Sequence, residues 1–185
     1  LVPGQKEFSA HVYTSDVDDA EYFALVLGDV AAATRAGSSV LVRVQSMCPV
    51  GDVFGLGSCD CEWQLREAMR AIDKEGAGVF LYVYSRQRTS LLSSFEEHVL
   101  HQAPSTHSQT RAAFHDFGLG AQVLADLGLG KIRLLSNSPK KISGLRGFGI
   151  EVVTQVPIAR NAPSKPADEN VTWLDAHRVK EPKGA

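Results

Sequence analysis

The feature that most constrains this chain is the alternation of strand-patterned and helix-patterned segments joined by only a few residues. Glu21–Asp29 (EYFALVLGD) reads as a buried strand ending at a Gly-Asp turn, and Ser38–Met47 alternates as a second. Gly78–Tyr84 is β-branched and aromatic, and Lys131–Ser136 and Ile150–Pro157 complete the strand pattern. Leu65, Met69 and Ile72 recur at helical spacing within Trp63–Ile72, and Glu75-Gly76 closes that segment. Further helices are expected over Ser90 to about His101, over Gly118–Leu127, and over Pro139–Leu145 with its proline in the first turn. Such an order predicts an α/β (α+β) fold: one domain with a mixed β-sheet covered by helices. A strictly parallel doubly wound sheet is not expected, because the first strands show no helix pattern between them.

Asp52–Gly57 and the polar Ala103–Thr110 read as loops. Residues 1–160 are expected to form the domain and 161–185 a polar linker with a short tail around Trp173 and Leu174. Leu1–Pro3 is set aside as a possible cloning remnant. The chain has 185 residues, enough for one domain with its own core. A hydrophobic fraction of 44% and a charged fraction of 22% exclude wholesale disorder. No apolar run approaches the roughly 20 residues of a membrane helix, and no secretory core follows the first residues. A net charge of −2 gives no electrostatic case for nucleic acid. The expected setting is therefore the cytosol, with neither membrane nor nucleic acid as partner.

All three cysteines, Cys48, Cys59 and Cys61, lie within fourteen positions. Cys59 and Cys61 flank Asp60, and the glycine-rich stretch between Pro49 and Ser58 lets Cys48 return to them. Three sulfur ligands with no fourth cysteine suit tetrahedral Zn²⁺ with water in the last position. Such an ion lowers the pKa of its water from about 15.7 toward 7. A closed structural zinc site completed by histidine, or buried thiols without metal, are the alternatives left by spacing alone.

The string RVQSMCPVGDVFGLGSCDCEWQL resembles the zinc segment of GTP cyclohydrolase II, close to RVHSEC-x-TGD-x-F-x-S-x-RCDC-x-x-QL. A second match is RLLSNSPKK, Arg133–Lys141, against the family's RLLTNNPKK. GVFLYV and HDFGLGAQVLADLG follow in the family's order, so the likeness runs from about Leu27 to Pro157. It implies a nucleotide substrate, GTP in the family, whose imidazole ring is opened with loss of formate and pyrophosphate. It implies one Zn²⁺ per chain on Cys48, Cys59 and Cys61, Mg²⁺ as a candidate companion of a nucleoside triphosphate, and a homodimer. Residue by residue, it implies a phosphate contact at Arg43 and nucleotide contacts at Gln64, Ser136 and Lys141. It also implies a nucleotide-contacting threonine at Thr106, and Arg88 survives from the family's arginine-bearing loop. Each has an ordinary reading beside this one: a surface charge for the basic residues, a solvent-facing amide for Gln64, a turn hydroxyl for Ser136.

The chain departs from the family where the chemistry lies. The family's Q-E-G-R-x-I-G-L is SRQRTSLL here, with Arg86 and Gln87 at the acidic and glycine positions. D-x-R-D-F is AFHDF, so Ala113 stands at the proposed base and His115 at the arginine nucleophile, while His98 falls near the assisting tyrosine. Gln45 and Met47 replace His and Glu of the first motif. Alanine accepts no proton, whereas histidine serves as nucleophile, base or phosphate contact near neutral pH. His115 and His98 are accordingly the candidate catalytic residues. The sequence favours a zinc-dependent nucleotide-ring hydrolase with altered substrate or a truncated reaction, placed in specialised metabolism. The orthodox riboflavin-pathway activity and a non-catalytic nucleotide-binding homologue are the alternatives.

Overall fold

In a computed structural model, the structure describes residues 6–16, 19–55, 60–85, 91, 118–137 and 148–158. Six strands form one sheet: β1 (Ser9–Thr14), β2 (Ala20–Leu27), β3 (Val40–Ser46), β4 (Gly78–Ser85), β5 (Lys131–Leu135) and β6 (Glu151–Val156). Their spatial order is β1-β2-β4-β3-β5-β6. β2 runs antiparallel to both β1 and β4, while β4, β3, β5 and β6 are mutually parallel. The sheet is thus mixed, as the sequence pattern predicts.

Side-chain alternation assigns the two faces. Val40, Val42 and Val44 of β3 join Val79, Leu81 and Val83 of β4 in one core. Two helices cover that face: α1 (Val30–Arg35), through Val30, and α3 (residues 118–126), through Ala121, Val123 and Leu124. The opposite core takes Leu41, Phe80 and Leu135 from the sheet with Ala68, Met69 and Ile72 from α2 (Cys61–Glu75). Gly76 ends α2 in the left-handed conformation, φ 84°, and returns its N–H to the Ile72 carbonyl. No helix among the described residues is long and apolar enough to cross a membrane.

Three details correct the sequence reading. A helix does separate the first long strands: α1, a six-residue element capped by the Asp29 carboxylate on the Ala32 N–H. It is too short to show a hydrophobic period. The edge strand β1 went unrecognised because it is almost wholly exposed and shows little apolar alternation. The stretch Pro49–Val53, read in part as loop, is a π-helical turn. The helix expected over 90–101 lies outside the described residues except for helical Leu91. So do the expected loop at 103–110, the short helix at 139–145 and the tail at 161–185.

Candidate functional site

The alternation that lines the α2 face with Leu41 also places Arg43 and Gln45 there, under the helix and toward the carboxyl end of β3. In α/β sheets that end of the parallel strands is where ligands bind. Arg43 is 4% exposed, and its partners lie inside the protein. Nη1 donates to the Leu135 carbonyl at 3.0 Å, while Nη2 donates to Gln45 Oε1 at 3.3 Å and to Gln64 Oε1 at 2.7 Å. Nε is buried and has no partner among the described residues. Burial pulls the guanidinium below its ordinary pKa, opposed by the charges of Cys61 and Asp52.

Gln64 sits in the first turn of α2, half-buried. A guanidinium carries no acceptor, so the Arg43 contact requires the amide oxygen of Gln64 to face inward. The amide NH₂ is thereby left for something outside the network. Gln45 is fully used: Nε2 donates to Asp52 Oδ1 at 2.9 Å and to the Cys61 carbonyl at 3.2 Å.

Asp52 joins the second half of the site. Its Oδ2 accepts from the Cys48 N–H at 2.8 Å and from the Tyr82 hydroxyl at 2.6 Å. Burial, then the hydrogen bond and charge of Asp52 and the charge of Cys48, push the Tyr82 hydroxyl far above the usual phenol range. Tyr82 therefore remains a proton donor to Asp52 at any physiological pH. A cleft of about 420 Å³ lies against the same pair, walled by Phe23, Leu25, Leu65, Met69 and Phe80.

Cys48 is buried two residues past the end of β3, and Cys61 is the first residue of α2; neither forms a disulfide among the described residues. At that end of a helix a negatively charged sulfur is favoured. Cys59 lies outside the described residues, two positions before Cys61. Cys48 and Cys61 offer soft sulfur donors of the type that suits zinc, tied through their backbones to one Gln45–Asp52 unit; among the described residues no group of three or more His, Cys, Asp or Glu is gathered to hold an ion. Ser136 leaves the end of β5 buried, its N–H on the Val156 carbonyl and its own carbonyl accepting from Gln155 Nε2 at 2.6 Å. Arg43, Gln64, Cys48 and Cys61 thus share one network, and Ser136 follows Leu135, whose carbonyl holds Arg43. Arg88, His98, Thr106, His115 and Lys141 lie outside the described residues.

Asp52 and Tyr82 were not singled out from the sequence. The signal available was Gly51-Asp52 at the TGD position of the motif quoted above. Gln45 was noted only as a departure.

A mixed sheet with thiols and a buried arginine–amide network toward the carboxyl ends of its parallel strands defines an α/β domain with a candidate ligand site. The family model described as GTP cyclohydrolase II matches residues 2–157, and the chain belongs to that family. Three relatives are each named riboflavin biosynthesis protein RibBA. The protein of Mycobacteroides abscessus is 40% identical over 93% of this chain and 42% of its own length. That of Rhodococcus erythropolis gives the same figures. That of Bacillus cytotoxicus is 41% identical over 94% of this chain and 43% of its own. The chain thus spans less than half the length of these relatives.

Proposed function

We propose that this chain is a zinc-dependent hydrolase that opens the imidazole ring of a guanine nucleotide, with GTP as its substrate. The observation that carries the reading is the single network that ties the backbones of Cys48 and Cys61 to the Arg43–Gln64 pair. It supports a reading in which the thiols serve a metal beside the Gln64 NH₂, which has no partner among the described residues. The family model's own description, GTP cyclohydrolase II, supports GTP over another nucleotide.

Cys48, Cys59 and Cys61 would hold the ion, which when bound supplies Lewis acidity and a water of lowered pKa. The protein's own contribution begins with Gln64. Its NH₂, aimed by Arg43, donates to an acceptor on the nucleotide, either a ring carbonyl or a phosphate oxygen. Arg43, turned inward, acts on the ligand through that amide. Ser136 and Lys141 are assigned to the nucleotide, with Arg88 and Thr106, and His115 and His98 to proton transfer or α-phosphate contact.

A second reading concerns how far the reaction runs. Ala113 and His115 stand where the family has its base and its arginine, which favours ring opening that stops before pyrophosphate release. Incubation of the zinc-loaded protein with GTP, followed by mass spectrometry and formate assay, tests both. Ring-opened product with formate and pyrophosphate supports the orthodox course; ring-opened triphosphate supports the truncated one. GTP recovered intact overturns the hydrolase reading.

A further inference from the structure

The Asp52 side chain bonds directly to Cys48 and reaches Cys61 through Gln45. Both backbone polar groups of Cys48 are engaged by Asp52: the Cys48 N–H donates to Oδ2 at 2.8 Å, and the Asp52 N–H donates to the Cys48 carbonyl at 2.6 Å. Oδ1 takes Gln45 Nε2, and that same nitrogen donates to the Cys61 carbonyl. The hydroxyl of Tyr82, thirty residues further along the chain on β4, completes the set on Oδ2.

We propose that Asp52 is a positioning residue for the metal site: braced by Tyr82 and Gln45, it sets the spacing of Cys48 and Cys61 before any ion is bound. The inference rests on the zinc reading above and goes beyond it, because it assigns the geometry of the thiols to a carboxylate that is not itself a ligand. It meets the Cys48 backbone N–H directly and the Cys61 carbonyl through Gln45 Nε2, so a shift of the carboxylate is passed to both sulfur-bearing residues. The three groups that meet it (a peptide N–H, an amide NH₂ and a phenol) all donate, and an ionised carboxylate has acceptor sites for all of them. They arrive from the π-helical turn, β3 and β4, so one anion fixes three elements. Groups that orient metal ligands in this way commonly change metal affinity about 10–100-fold when removed.

The test uses the full chain with Asp52→Asn and Tyr82→Phe. Zinc affinity is measured by competition with a chromophoric chelator, the visible spectrum is recorded with Co²⁺ in place of Zn²⁺, and unfolding is followed without metal. Asp52→Asn offers an amide where a donor must be accepted. It is expected to weaken zinc binding about 10–100-fold and to shift the Co²⁺ bands while the metal-free protein still folds. Tyr82→Phe, which removes one brace only, is expected to shift both readouts in the same direction by less, and it carries the test alone should Asp52→Asn not fold. Wild-type affinity and unshifted bands in the variants, with lowered thermal stability alone, overturn the proposal and leave the zinc reading intact. A wild-type protein that binds neither ion overturns both.

Discussion

Arg43 Nη2 lies 2.7 Å from Gln64 Oε1, and this contact fixes which end of the Gln64 amide faces outward. The side chain can then only donate to a ligand. Gln64→Glu reverses that offer while strengthening the bond to Arg43, since a carboxylate accepts from a guanidinium better than an amide does. The variant is expected to keep or raise its melting temperature and to lose at least about tenfold in nucleotide affinity, about 1.4 kcal/mol. Calorimetric titration with GTP beside thermal unfolding checks both halves.

Arg43→Met removes the donor that Gln64 Oε1 has among the described residues and leaves the Leu135 carbonyl and Gln45 Oε1 short of a partner. Each buried acceptor left unsatisfied costs about 1–3 kcal/mol, so a loss of at least about 2 kcal/mol is expected in urea unfolding. Nucleotide affinity should fall with it, because the Gln64 amide is then free to turn.

Gly78 faces Leu41 across the parallel β3–β4 pair. A Cβ there would stand 2.7 Å from the Leu41 carbonyl oxygen and 2.9 Å from Ile72 Cγ2. Gly78→Ala should therefore destabilise by about 1–3 kcal/mol, although alanine ordinarily loses less entropy than glycine on folding. Denaturant unfolding with an unchanged m-value would show it.

Tyr13 on β1 donates to Asp126 of α3 at 3.0 Å. Burial, then the bond to Asp126 and its charge, raise its pKa from 10.0 to about 12. The folded state holds the phenol proton more tightly than the unfolded state. This contribution to stability is therefore complete below pH 10 and fades as pH rises toward about 12. Tyr13→Phe should flatten the stability profile over that window, measured by thermal unfolding at stepped pH.

Much of the sheet was legible because alternation is a local signal: Val40, Val42 and Val44 face one way and Leu41, Arg43 and Gln45 the other within a single heptapeptide. The helix α2 was legible for the same reason, and Gly76 marked its end. What escaped was either too short or too exposed to carry a period, as with α1 and β1. The cysteines stood out by clustering, yet their bracing did not. Asp52 meets Tyr82 only because the turn after β3 folds back over β4, a contact between residues thirty apart in sequence. Nor does the sequence reveal that Arg43 turns inward. Its direction follows from the Leu135 carbonyl on a strand ninety-two residues away.

The proposed hydrolysis depends on one zinc ion held by the thiols of Cys48, Cys59 and Cys61. Elemental analysis of the purified chain beside Cys48→Ser, Cys59→Ser and Cys61→Ser tests it most directly. Close to one zinc per wild-type chain and a large loss in each variant are expected. Zinc absent from the wild type, or undiminished when any of the three sulfurs is replaced, would contradict it.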